Sequence, residues 1–471
     1  MDNTILVPLS SVDQAGVESS LSVFGYVVPT SSGGGLSVPL LKSACLRLVD
    51  KWRLIAGQIV WVPTTSSYAI SVPLGPIDPS SRLHFTSTEE RGCLDLQGGE
   101  MGGSEEAKTV KTPSMKYFVH KDTVGPLAAC AKRGAPILNV HVARFEDYTC
   151  IGIATPHGVF DGTGQGALTQ YLDAEIHGRE YTLPPLQPLN ILQTAFDSFN
   201  SATPPASPSA YDSTIDKAKG ALENLKRELV QSGVKSVAAL AGRVGYEYLW
   251  HRAEDRALFL GKNAIEKIVS KVKSEVKALD PSGSSFVSTG DVLYMWLVQT
   301  ACADEAADET HTVGMMSAIS MRPILSEVNE DFATYPHNCI VPMALPLTNK
   351  AATKNTPLAQ LALTHRRAID DARNLPYIQN WSRHINLIGS SVPDRRWRHD
   401  SWIMTNQSVA RSTDIRFPST KTVGFFYYFT PILPDHTIMM NELNGGIVMQ
   451  GPVRRSRWNA IDRALAELMK A

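Results

Sequence analysis

The chain predicts a mixed α/β protein in two domains. Three observations carry that expectation. Strand-like and helix-like segments alternate through both halves, a proline-rich stretch divides them, and 471 residues exceed what one hydrophobic core ordinarily serves.

In chain order, residues 21–28 (LSVFGYVV) are β-formers and predict a strand. Leu40, Leu41, Ala44, Cys45 and Leu48 recur at helical spacing. Residues 55–62 predict a second strand, and Gly/Ser-rich residues 30–37 and 96–105 predict surface loops. Residues 150–155 (CIGIAT) predict a short buried strand. Ala167, Leu168, Tyr171, Leu172 and Ile176 follow it at helical intervals, with Gly178 as the stop. Residues 183–213 hold Pro184, Pro185, Pro188, Pro204, Pro205 and Pro208 and predict a semi-extended connection, followed by a helix over 214–231. The second half opens near Leu258. It predicts helices over 264–276 and from Asp291, the latter capped by Thr289 or Asp291, then a strand over 423–429 and a terminal helix from Trp458. The implied division is 1–182, a crossover at 183–257, and 258–471.

Composition excludes several classes. A hydrophobic share of 43% with 19% charged residues describes an ordinary globular chain. The formal charge of −1 and the lack of a long basic run argue against nucleic acid or anionic membrane as obligatory partners. Met1-Asp2-Asn3-Thr4 lacks the basic start of a signal peptide, and no run of about 18 apolar residues suggests a membrane span. The six cysteines are scattered without metal-ligand spacing, so reduced thiols in the cytosol and no metal are expected.

Residues 156–164 read Pro-His-Gly-Val-Phe-Asp-Gly-Thr-Gly. His157 falls where a buried strand meets a glycine break, so a rigid element holds its backbone at the mouth of a cleft. Imidazole titrates near neutrality, which makes His157 the candidate general base. The spacing alone is weak, because it occurs again as His251 to Asp255. That copy lies in the charged segment 246–256, expected to be a solvated helix face and structural. Gly162-Thr163-Gly164-Gln165-Gly166 is not a phosphate loop, since no Gly-Lys-Ser/Thr follows.

The order of segments resembles the BAHD acyltransferases, acyl-coenzyme A-dependent enzymes of plant and fungal metabolism. Pro8-Leu9-Ser10-Ser11-Val12-Asp13-Gln14 resembles the family's opening. Leu41-Lys42-Ser43 through Trp52-Arg53-Leu54-Ile55-Ala56-Gly57-Gln58 resembles its next segment, and His157 to Gly162 its H-x-x-x-D-G site. Ser288-Thr289-Gly290-Asp291 through Trp296, Met321-Arg322-Pro323 and Tyr335-Pro336-His337-Asn338 resemble later ones. The second signature, D-F-G-W-G, is reduced to Asp414 within Asp414-Ile415-Arg416-Phe417-Pro418, and the family's T-S-W stands as Asp400-Ser401-Trp402. Pro336-His337-Asn338 adds a histidine.

The resemblance implies two chloramphenicol acetyltransferase-like domains, each a mixed sheet flanked by helices, with a channel between them. It implies acyl-CoA as co-substrate, a small-molecule acceptor and a monomer. His157 would take the acceptor's proton, Asp161 would pair with Arg322 at a strand end, Gly162 would serve the turn, and Asp414 would be structural. Asn338, Ser401 and Asp400 are candidates for oxyanion or acceptor contacts, or ordinary hydrogen-bonders. Ser288 and Thr289 either cap a helix or meet the coenzyme, and Lys271, with Lys267 and Lys273, either meets phosphates or forms a solvated face. The alternatives are a condensation-like enzyme using a carrier-protein thioester, and a fold recruited for non-acyl chemistry. Pro156 stands where condensation enzymes have an additional histidine.

Overall fold

The computed structural model describes residues 3–14, 17–30, 36–201, 242, 245–283, 285–345, 348–388, 399–430 and 436–470. The expected helix over 214–231 and most of the loop over 30–37 lie outside them.

The first half supplies strands β1 (Thr4–Pro8), β2 (Leu21–Pro29), β3 (Gln58–Val62), β4 (Ser67–Pro73), β5 (Leu83–Glu89), β6 (Ala107–Lys111), β7 (Leu138–Arg144) and β8 (Tyr148–Pro156). Its helices are α1 (Val38–Lys51), α2 (Leu127–Arg133), α3 (Gly162–His177) and α4 (Ile191–Ser201). The second half supplies β9 (Ala253–Leu260), β10 (Thr312–Ser320), β11 (Ile340–Ala344), β12 (Thr348–Asn349), β13 (His399–Asn406), β14 (Gly424–Thr430), β15 (His436–Leu443) and β16 (Gly446–Arg454). With them come α5 (Lys262–Leu279), α6 (Thr289–Ala301), α7 (Arg322–Leu325), α8 (Lys350–Asn355), α9 (Leu358–Ala372), α10 (Leu375–Ile388) and α11 (Arg455–Lys470).

The strands form a small sheet β1-β4-β3, a five-stranded sheet β14-β2-β8-β7-β5, and an eight-stranded sheet β11-β10-β13-β15-β16-β9-β6 with β12 beside β10. Both large sheets mix parallel and antiparallel pairs. Two strands cross between the halves. The C-terminal β14 pairs with β2, and the N-terminal β6 pairs with β9. A cut of the sequence at 182 and 258 therefore does not separate the sheets, because each borrows its edge strand from the other half.

Local chemistry explains the elements that position the site. Ser37 caps α1 by accepting from the Leu40 amide, and α1 buries Leu41, Ala44, Cys45, Leu48 and Val49, close to the expected face. In β8 residues 149–156 are all buried, as a strand covered on both sides must be. Gly178 ends α3 in the left-handed region at φ 64°. The α6 helix starts at Thr289, and its cap is Ser288 rather than Thr289 or Asp291. Asp291 at N3 answers from within a capping box.

The clearest departure from the sequence expectation is the segment 246–256. It is a π-type helical turn, Tyr246–Trp250, followed by β9, with Glu247 fully enclosed. Glu247 pairs with Arg454 at 2.7 Å. Glu247 is thus answered by an arginine inside the fold, while Arg252 and Asp255 stay exposed, and periodicity cannot distinguish those cases.

Candidate active site

His157 is the first residue after β8. Its N–H donates to the Ser20 carbonyl at 2.9 Å, and its carbonyl accepts from Asn338 Nδ2 at 2.8 Å. One contact comes from each half, so the histidine backbone is clamped at their junction. The side chain is half-buried, and its ring meets Phe429 of β14 edge-on at 5.4 Å. Burial holds the imidazole pKa below its usual value, against weaker opposing effects that include Asp161 and Asn338. The ring is therefore a free base at neutral pH.

Asp161 points away from that ring. It caps α3 by accepting from the Gly164 amide at 2.9 Å. Its oxygens receive Arg322 Nη1 and Nη2 at 2.9 and 3.0 Å and the Cys339 amide at 3.0 Å. Arg322 donates further to the carbonyls of Tyr335 and His337 and is 5% exposed. The expected pair is thus present, bidentate and enclosed, with Arg322 opening α7 just beyond the strand end. Neither residue is free to relay a proton from His157.

The glycines after Asp161 answer to crowding. A Cβ on Gly162 would stand 2.6 Å from Gln407 Nε2, one on Gly164 1.9 Å from the Pro336 carbonyl oxygen, and one on Gly166 2.4 Å from that of Ala410. None of the three has positive φ. Gly162 therefore serves close approach of the two halves and not the turn expected of it.

Other sequence candidates fall elsewhere. Both amide hydrogens of Asn338 are committed, to the His157 carbonyl and to Asp13 Oδ1, which leaves none for an oxyanion. Asp400 is 1% exposed and bound in a network of Arg457, Arg454, His311 and Lys350 at the start of β13. Burial alone would raise its pKa, but Arg457 and its neighbours hold it well below the usual carboxylate range, so it is a fixed anion of the core and not an acceptor contact. Ser401 pairs with Gly314 in the sheet. Asp414 is exposed, and its ion pair among the described residues is with Arg411 at 2.6 Å, a surface bridge of little structural value. Ser288 is occupied in its capping box, Thr289 is the first residue of α6, and Lys271 is exposed on α5. The α6 N-terminus does approach the site's end of the sheet. Gly290 lies against Asn406, whose neighbour Gln407 lies against Gly162.

Sequence reasoning did not assign roles to several residues that build the site. Asp13 is fully buried, takes the Asn338 backbone and side-chain amides on one oxygen and Ser10 on the other, and so ties the N-terminal segment to the histidine clamp. Its place in the opening motif was the available signal. Gln165 of α3 is 0% exposed and donates to the carbonyls of Ser22 and Ile153 beneath the loop. His337 stacks on Phe160 and bonds the Val159 carbonyl at 2.9 Å, which accounts for the additional histidine as loop support.

Two other features invite comparison with a site. Ser317 Oγ, His365 and Asp291 stand in triad order at 3.0 and 2.7 Å. They are 6%, 4% and 1% exposed between the large sheet and α6 and α9, buried as a structural hydrogen-bond chain. A cavity of about 180 Å³ lined by Trp52, Leu186 and Tyr335 includes His337 but not His157, so it lies behind the loop. Among the described residues no group of His, Cys, Asp and Glu is arranged to hold a metal, and no helix is long and apolar enough to cross a membrane.

No family model matches the chain. It is 24% identical over 363 residues to the O-acyltransferase pboC of Aspergillus ustus, covering 72% of each chain. It is also 24% identical over 366 residues to a Penicillium decumbens protein named transcriptional regulator calD, covering 71% of this chain and 69% of that one. Among solved structures it resembles TRI101 of F. graminearum complexed with coenzyme A and T-2 mycotoxin, with TM-score 0.67, 13% identity and 98% of both chains covered. The fold and the named relatives make this chain similar to the BAHD acyltransferases and support an acyltransferase.

Proposed function

We propose that the chain moves an acyl group from acyl-coenzyme A to a hydroxyl, or an amine, of a secondary metabolite, with His157 as general base. The acyl group is acetyl or another small one. The observation that carries the reading is the His157 imidazole. It is half-buried, held neutral by burial, and clamped at the junction where two sheets exchange strands. Similarity to O-acyltransferase pboC and to a coenzyme A-bound fold supports the donor and the reaction class.

In this mechanism His157 Nε2 takes the acceptor's proton as its oxygen attacks the thioester carbonyl. The tetrahedral intermediate collapses, the carbon–sulfur bond breaks, and the departing thiolate takes the proton from the imidazolium. Both substrates are present together, so no acyl-enzyme forms. Nδ1 of His157 and Oδ1 of Asn338 are both buried without a hydrogen-bond partner, and Asn338 is among the groups that favour the charged ring. Asn338 therefore steadies the protonated imidazole. Asp161 acts only through the loop's shape.

The test is His157→Ala assayed by thiol release from acetyl-CoA with an acceptor panel, alongside circular dichroism. Loss of turnover in a folded protein is expected, and a wild-type rate would sink the assignment. The similarity to calD and the reduced second signature favour a second reading, a fold kept for a role without acyl chemistry. Thiol release by the wild-type chain on any acceptor excludes it.

A further inference from the structure

The second H-x-x-x-D spacing ends on β9, and its aspartate lies on the strand face that packs towards the N-terminal sheet. Alternate side chains of a strand share a face. Leu258 and Leu260 enter the core beneath the C-terminal helices, while Ala257 and Phe259 enter the core shared with the N-terminal sheet. Asp255, two residues before Ala257, lies on that second face. Ala257 and Phe259 are fully buried, yet Asp255 is exposed. The packing between the halves opens at this residue.

A short chain of contacts links Asp255 to the reaction centre. Gln450 Nε2 donates to its two oxygens at 3.2 and 3.4 Å and to the Tyr427 carbonyl at 2.9 Å, while Gln450 Oε1 accepts from the Tyr427 amide at 2.6 Å. Tyr427 is two residues from Phe429, whose ring touches His157. One glutamine and two residues of strand put the carboxylate on the order of 10–15 Å from the imidazole. Thr112 and the phenols of Tyr248 and Tyr428 are its other neighbours, and its charge helps to keep both phenols protonated. No cation among the described residues pairs with it. Burial pushes the Asp255 carboxyl up to about 7.

We propose that Asp255 is an acceptor-recognition residue, which pairs in the channel with a basic nitrogen carried by the hydroxylated acceptor. This rests on the acyl-transfer reading given above. A carboxylate repels the phosphates of coenzyme A, so its end of the channel is the acceptor's. An ammonium group supplies the opposite charge that this carboxylate lacks within the fold.

The test is equilibrium binding at pH 8 to a matched pair of probes, 1-methylpiperidin-4-ol and 4-methylcyclohexanol, with coenzyme A titrated separately. Wild type is expected to hold the amino alcohol about tenfold more tightly, and Asp255→Asn to reduce that preference below about threefold with coenzyme A binding unchanged. Asp255→Glu should keep part of the preference, which separates charge from side-chain shape. Absence of a preference in wild type, or its survival in Asp255→Asn, overturns the proposal. Neither binding measurement needs turnover, so failure of acyl transfer in the His157 assay is a separate result.

Discussion

His157 to Asp161 and His251 to Asp255 share one spacing, and the fold uses their ends in opposite ways. In the first copy the histidine meets the gap between the halves, while the aspartate is sealed against Arg322. In the second the aspartate is exposed beside Gln450, while His251 packs edge-on to Tyr246 near the Glu247–Arg454 pair. The first spans a strand end, a loop and a helix cap. The second spans a π-type turn, Arg252 at φ 50° and the start of a strand. A side chain four residues along therefore has no fixed relation to its partner, because the intervening backbone decides where each one points.

The widest separation between the copies is kinetic. His157→Ala should lower kcat/KM by about 10²–10⁴, the range of a lost general base, with His251→Ala changing it by no more than about threefold. Thiol-release kinetics on purified variants decide it, and equal losses would erase the distinction. The acid limb of the wild-type profile should lie below pH 6.5, since burial lowers the His157 pKa and the free base persists as pH falls through that value. A limb above 6.5 contradicts the geometry.

The aspartates should separate in stability. Asp161→Ala leaves Arg322 buried without its partner and is expected to cost about 3–5 kcal/mol in urea unfolding. A double variant, Asp161→Asn with Arg322→Met, should recover part of that loss. The smaller crowding effect is Gly164→Ala, at about 1–3 kcal/mol, because the added methyl meets a backbone carbonyl that cannot rotate away. The smallest effect has the opposite sign. Asp255 has a folded pKa raised from 3.8 to about 7, so its charge destabilises the fold progressively as pH rises through that window. Asp255→Asn should therefore raise the urea midpoint at pH 8 and lose that advantage towards pH 4. A lowered midpoint at pH 8 would place Asp255 in a stabilising pair.

Residues with local signals were legible. The strand before His157, the helix from Gly162 to Gly178 and the face of α1 follow from periodicity and caps. The Asp161–Arg322 pair was legible only through family resemblance, since 161 residues separate the partners. Asp400 and Asp414 show the limit. Sequence alone makes Asp400 available and Asp414 structural, whereas the fold locks Asp400 against Arg457 and leaves Asp414 on the surface. Charge on a sequence does not say whether water or an arginine answers it.

The sequence by itself determined the alternation of strand and helix, the position of His157 at a strand end and the glycine run that follows. Each of these depends on neighbours a few residues away, through dihedral preference and spacing. Only the tertiary structure decided that β14 and β6 change sides, that Gly162, Gly164 and Gly166 exist to admit Gln407, Pro336 and Ala410, and that Asp255 stays exposed on a strand face whose next members are buried. These are contacts between distant segments, fixed when the two sheets pack, and no local pattern encodes which face of a strand will meet the other half.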